Sequence, residues 1–176
     1  MAEAFGAAEL EAVVPRLRRY ARALTGTREG ADDLTQDALE RAWQKRGLWQ
    51  PGTDLRAWMF TIMHNVFVTG MRKARPTVSL DDLAVEDNRP AAGTSVETGI
   101  VLGELARSLS LLPDEQREVL LLVGLEQFSY ADAAEVLGVP IGTVMSRLSR
   151  ARERLRILLE AGSAGSERPA TLRRVK

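Results

Sequence analysis

Thr143, Ser146, Arg147, Ser149, Arg150 and Arg154 gather hydroxyls and guanidiniums into one short stretch near the C-terminus. Guanidiniums bond bidentately to guanine edges or to phosphates, and hydroxyls bond to bases or phosphate oxygens, so the set suits duplex DNA. Val144, Leu148, Ala151, Leu155 and Leu158 recur at alternating steps of three and four, which predicts a helix burying that stripe. The polar set then lies about a quarter turn or more away, facing outward. Just upstream, Ser129 to Gly138 reads as a short helix, with Ser129 as its cap, Asp132 as a capping-box acid and Gly138 as its stop. Gly138-Val139-Pro140 joins the two, with Pro at the opening of the second helix. Two short helices, a tight turn and a basic second helix describe a helix-turn-helix that enters a major groove. A merely solvated arginine face is the ordinary alternative, and the capped helix beside it argues against that.

A second constellation lies toward the N-terminus. Asp33, Gln36, Asp37, Glu40 and Gln44 share about a third of one helix's circumference. Leu34, Ala38 and Ala42 lie on another side, and Leu39 and Trp43 form a further apolar edge. An acid-and-amide face is usually wet surface; the functional alternative is docking to a basic partner. On the next helix, Leu55, Met59, Ile62 and Val66 make the stripe to be buried. Beside it run Trp58, Thr61, Asn65, Val68 and Arg72, with Lys73 and Arg75 behind. Aromatics stack on unpaired bases, amides bond base edges and cations hold phosphates, which suits single-stranded nucleic acid. By residue type alone Trp58 is more simply a core residue; Trp49, in a Gly/Pro loop, is less readily explained as core, and its ordinary alternative is to cover the end of the unit. His64 is the single histidine and there is no cysteine. No metal site, nucleophile–base pair or glycine-rich phosphate loop can be assembled, so a catalytic reading has no residues to stand on.

The elements that must position these groups are all helical. Helices are expected from about Glu9 to Leu24, Glu29 to Lys45 and Asp54 to Lys73, closed by Pro76. Four more are expected over Ile100–Leu112, Asp114–Leu125, Ser129–Leu137 and Ile141–Leu159. The reading is all-α, with two small domains at 9–76 and 99–160. A flexible acidic linker is expected at 77–98 and a disordered tail at 161–176. The 176 residues are 45% hydrophobic and 27% charged, ordinary for a soluble globular chain. No stretch approaches the roughly 18 apolar residues of a membrane span, and no signal peptide is evident, which fits the cytoplasm. Net charge is zero but segregated. Residues 1–80 hold 12 Lys/Arg against 9 Asp/Glu (+3), 81–135 hold 3 against 12 (−9), and 136–176 hold 9 against 3 (+6). Such separation implies more than one kind of partner.

In this order and spacing, three stretches resemble the bacterial extracytoplasmic-function sigma factors over about residues 10–159. Ala31 to Trp43 resembles that family's polymerase-binding helix. Leu55 to Asn65, followed by Arg72-Lys73-Ala74-Arg75, resembles its promoter-melting helix. Leu112-Pro113-Asp114-Glu115-Gln116-Arg117-Glu118-Val119 through Leu155 resembles its second DNA-binding domain. The resemblance implies that Asp33, Leu34, Gln36, Asp37 and Glu40 contact core RNA polymerase. It implies that Trp58, Thr61 and Asn65, with the Gly47–Thr53 loop, hold the opened minus-ten element, while Arg72, Lys73 and Arg75 hold nearby phosphates. Thr143, Ser146, Arg147, Ser149, Arg150 and Arg154 would face the minus-thirty-five element. The linker would thread toward the polymerase active-site and RNA-exit channels. An anti-sigma protein is an implied partner; no cofactor, small-molecule substrate or membrane insertion is. Met145 and Ser149 depart from common family residues, so the promoter sequence does not transfer. Gly70 costs about 1 kcal/mol in a helix interior, so a bend or fray is expected there. Two rivals remain: a helix-turn-helix regulator acting without polymerase, and a sigma-like decoy.

Overall fold

The computed structural model describes residues 5–73 and 96–166, all of them helix, turn or loop. The first unit is α1 (Ala7–Thr25), α2 (Arg28–Gln44), a single 3-10 turn (Arg46–Leu48) and α3 (Leu55–Lys73). The second is α4 (Val96–Ser110), α5 (Asp114–Leu120), a π-helical turn (Leu121–Leu125), α6 (Tyr130–Leu137) and α7 (Ile141–Ser166).

Local chemistry sets the helix ends. The Gly6 N–H donates to Glu9 Oε2 at 2.8 Å, and Gly26 (φ 77°) ends α1 in the left-handed region. The Thr27 hydroxyl accepts the Gly30 N–H at 3.1 Å to start α2. Asp54 Oδ1 accepts the Arg56 N–H at 2.8 Å, as its capping role required. The Ser129 hydroxyl caps α6 by accepting the Asp132 N–H at 3.0 Å. Asp132 does not complete a capping box, because its Oδ2 accepts the Ser129 hydroxyl at 2.6 Å. Gly138, at φ 62°, turns the chain from α6 toward α7. Pro15 lies inside α1. Its missing N–H and ring clash disfavour that position, and burial of Val13, Leu17, Tyr20, Ala21 and Leu24 along the same helix overrides it.

α3 continues through Gly70 to Lys73, its expected end, without fraying at the glycine. Two expectations shift. α7 runs to Ser166, so residues 161–166 are helical and only 167–176 of the expected tail lie outside the described residues. α4 starts at Val96, inside the expected linker, whose residues 77–95 lie outside the description. The continuous i,i+4 bonding of α7 carries it past Gly162 once Leu148 and Ala151 are anchored.

The two units are not separate beads. One buried cluster joins Leu17, Tyr20, Leu24, Met59, Phe60 and Met63 of the first to Val119, Leu122, Phe128, Ala133 and Val136 of the second. α3 packs on α6, and α1 packs on α4, α5 and the π-helical turn. Tyr20, Phe60 and Phe128 form an edge-to-face series with centroids 5.1 and 5.2 Å apart. The sequence left their orientation open because periodicity reports which face is buried, not what buries it.

Candidate nucleic-acid interface

α2 presents the acid-and-amide face outward. Asp33, Gln36, Asp37 and Glu40 are exposed, while Ala31, Thr35, Ala38 and Ala42 turn inward. Leu34, assigned by resemblance to the same contact face, is 7% exposed and belongs to the core cluster. Its place on the inward stripe is the reason, so in this form it supports the face from beneath. Gln44 bonds back to Glu40 at 3.4 Å, and Trp43, half exposed, lies under the Arg46 guanidinium at 4.7 Å.

α3 brings Trp58, Thr61 and Asn65 to one side. Trp58 is half-buried against the core, Thr61 is half-buried and Asn65 is exposed. The Thr61 hydroxyl donates to the Ala57 carbonyl at 3.0 Å, and the Asn65 amide donates to the Thr61 carbonyl at 2.9 Å. Both side chains are therefore held along the helix. Trp58 packs against the core cluster and keeps part of its ring accessible. The side chains of Arg72 and Lys73, and all of Arg75, lie outside the described residues.

Phe5 covers the aromatic site, a contact that periodicity could not suggest. It is 4% exposed and lies 5.5 Å from the Trp58 ring and 5.7 Å from the Trp49 ring. Beneath it the Trp49 indole N–H is buried without an acceptor among the described residues. A buried donor left unmade costs about 1–3 kcal/mol, so the Trp49 indole carries an unmet cost beneath Phe5.

The helix-turn-helix forms as the capping pattern required. Val144, Leu148 and Ala151 are buried, and Leu155 and Leu158 are half-buried. Ser146, Ser149, Arg150 and Arg154 are exposed, and Thr143 is half-buried at the start of α7. The Ser146 hydroxyl donates to the Thr143 carbonyl at 3.1 Å. Arg147 differs from its neighbours: its guanidinium pairs with Glu115 of α5 at 2.9 Å, leaving its side chain 23% exposed. A base or phosphate reached by Arg147 must share or displace that carboxylate.

Several charged groups outside these sets join the two units. Glu126 is 0% exposed, and its Oε1 accepts from Arg19 Nε at 3.1 Å and Nη2 at 2.8 Å. Arg16 stands 3.9 Å from Oε2, and that oxygen has no hydrogen-bond partner among the described residues. Arg56 donates to the Glu126 carbonyl at 3.1 Å and lies 4.1 Å over the Phe128 ring. Arg117 donates to Leu109 and Leu112 carbonyls and, at 2.6 Å, to the Leu24 carbonyl at the C-terminus of α1. Burial pulls its guanidinium below the ordinary arginine range, opposed by the Asp114 and Glu118 charges. His64, expected to be structural or surface, lies 2.7 Å from Glu118 Oε1 through Nδ1. The sequence signal for Glu126 was faint: one acid between the apolar Leu120–Leu125 run and Phe128.

Family models match both units. "Sigma2 domain of PhyR" matches residues 10–64 and "Sigma-70, region 4" matches residues 102–155. The chain is 40% identical over 157 residues to ECF RNA polymerase sigma factor EcfG of Rhodopseudomonas palustris, covering 89% of this chain and 86% of that one. It is 39% identical over 146 residues to sigma factor SigM of Mycobacterium tuberculosis, covering 82% and 71%. Among solved structures, the sigma factor RpoE in complex with the anti-sigma factor NepR from Bartonella quintana is similar at 39% identity and a TM-score of 0.73, covering 87% and 95%. CnrH in complex with the cytosolic domain of CnrY is similar at 28% identity and a TM-score of 0.63, covering 88% of each chain. With sigma models on both helical units and curated relatives matched along most of their length, the chain belongs to the ECF RNA polymerase sigma factors.

Proposed function

We propose that this sigma factor docks on core RNA polymerase through the exposed Asp33, Gln36, Asp37 and Glu40 of α2, with Leu34 beneath them. Trp58, Thr61 and Asn65 of α3 then hold the first unpaired bases of the minus-ten element, with Arg72, Lys73 and Arg75 on adjacent phosphates. Thr143, Ser146, Arg147, Ser149, Arg150 and Arg154 of α7 read the minus-thirty-five element in the major groove. The observation that carries the reading is the pairing, on one chain, of an exposed acid-and-amide face on α2 with an outward arginine face on a capped helix-turn-helix. Each alone is an ordinary surface; together they support a basic protein partner and DNA.

Energy divides the labour between this chain and its partner. Opening DNA costs about 1.4 kcal/mol per stacked step, so ten steps cost on the order of 14 kcal/mol. A few stacking contacts of about 1–3 kcal/mol each do not meet that cost. Extruding one base costs a few kcal/mol, comparable to one stacking contact with its hydrogen bonds. The chain therefore selects where melting starts, and core polymerase stabilises the remainder. It acts in the cytoplasm, where the polymerase is, and performs no chemistry of its own. The sigma factor RpoE of Bartonella quintana is bound to the anti-sigma factor NepR, which supports a partner of that kind here.

Run-off transcription with purified core polymerase and a genomic promoter pool tests this. Specific transcripts that require the chain are expected. DNA recognition that proceeds without polymerase points to an independent regulator, and anti-sigma capture without any transcript points to a decoy. The exposed Arg150 and Arg154 favour transcription over the decoy, which needs no outward DNA-facing cations.

A further inference from the structure

We propose that Glu115 is a specificity-determining positioning residue for promoter reading. It fixes the Arg147 guanidinium so that the remaining donors read a guanine edge of the minus-thirty-five element in preference to a phosphate. This rests on the minus-thirty-five assignment above.

The three arginines assigned to that element are not alike. Arg150 and Arg154 are exposed, whereas Arg147 reaches across to α5 and pairs through Nη2 with Glu115 Oε2 at 2.9 Å. Two carboxylates open α5, and they turn different ways. Asp114 lies 3.4 Å from Arg117 of its own helix, while Glu115 leaves its helix for the reading helix. The joint between α5 and α7 does not depend on that pair. Val119 of α5 and Val144 and Leu148 of α7 are buried in the core, and the two helices pack directly. An ion pair whose carboxylate stays mostly exposed adds little to such a joint.

What the pair changes is the state of the guanidinium. An unpaired surface arginine loses rotamer freedom when it docks; Arg147 has lost much of it in the free protein. The guanidinium presents its donors in a rigid fork, and each terminal nitrogen carries a pair of them. A single contact at Nη2 therefore leaves an edge of parallel donors open, the geometry that guanine O6 and N7 accept. A phosphate meets a different balance. The Glu115 carboxylate beside the cation repels it, so paired Arg147 is a weaker phosphate ligand than Arg150 or Arg154. A guanine edge carries no net charge and escapes most of that repulsion. The carboxylate thus weakens sequence-independent attraction and leaves base reading intact.

The test titrates holoenzyme, assembled with core polymerase, against a promoter from the run-off pool at several salt concentrations. Single base-pair changes across the upstream element and a scrambled duplex serve as competitors. Arg147→Ala should lose discrimination at one G·C pair by about tenfold. Glu115→Ala should lower the preference at that same pair about three- to tenfold. Its binding to the scrambled duplex should tighten, with a salt slope steeper by up to about one. Glu115→Asp, which keeps the carboxylate, should stay nearer the wild type. In the Arg147→Ala background Glu115→Ala should leave base preference unchanged, which separates coupling through Arg147 from a general charge effect. Glu115 is exposed, and circular dichroism checks that each variant is folded. A mere staple between helices would lower the melting temperature of Glu115→Ala and leave base preference and salt slope at wild-type values; that result overturns the proposal. An equal effect of Glu115→Ala with and without Arg147 overturns it as well. Wild-type preference at every upstream position in Arg147→Ala overturns the minus-thirty-five assignment of Arg147 itself, and the proposal falls with it.

Discussion

Arg147 and Arg150 lie on the same outward side of α7 but not in the same state, since Glu115 holds Arg147 at 2.9 Å whereas Arg150 is exposed. Arg150→Ala should cost about 1–3 kcal/mol of discrimination at one promoter position if it reads a base. If it holds a phosphate, binding should weaken uniformly and the salt slope fall by about one. Titrating promoter variants against holoenzyme at several salt concentrations separates the two. Phe5 poses a different question at the same scale. Phe5→Ala should destabilise the first unit by about 2 kcal/mol, the value of burying one such ring. It should also red-shift tryptophan emission as Trp49 and Trp58 gain water. Emission unchanged from wild type would mean that Phe5 does not cover them in solution.

At the scale of the helix, α2 and the α6–α7 turn make opposite demands. Gln36→Ala with Asp37→Ala removes two exposed side chains and no buried contact, so helicity should stay and affinity for core polymerase should fall. Retained affinity in the double variant, measured by competition for core enzyme, would remove α2 as the docking face. Gly138 has open space where a Cβ would stand but sits at φ 62°, so Gly138→Ala meets strain alone. A loss of about 1 kcal/mol by chemical denaturation is expected, with the orientation of α7 the feature at risk. These elements were legible in advance because caps, stops and the 3.6-residue period are local properties. The persistence of α7 through Gly162 was not, because a glycine's local cost is small beside the helix bonds continuing on either side.

For the whole molecule, the joint between units controls pH behaviour. Burial, then the charges of Glu118 and Glu126, push the Tyr20 phenol well above its ordinary value. The fold therefore keeps Tyr20 neutral while the unfolded chain ionises it near pH 10. Above about that pH the folded state binds the extra proton, so stability is present below it and falls as pH rises through the folded value. Thermal melts from about pH 8 to 11 should show this decline, and Tyr20→Phe should flatten it. Two of the three causes lie on the second unit, so the decline also reports the packing of that unit against Tyr20.

The sequence by itself determined the helices, the polar faces of α2, α3 and α7, and the division into two units, since each follows from residue type and spacing within a few turns. It could not decide that Leu34 lies inward enough to be covered, that Phe5 shields the tryptophans, that Glu115 occupies Arg147 or that Glu126 meets Arg19. Arg19 and Glu126 are 107 positions apart, Arg56 and the Glu126 carbonyl 70, and His64 and Glu118 54. Such pairs leave no periodic trace in the chain. They exist only when packed helices place one unit's charges against the other's.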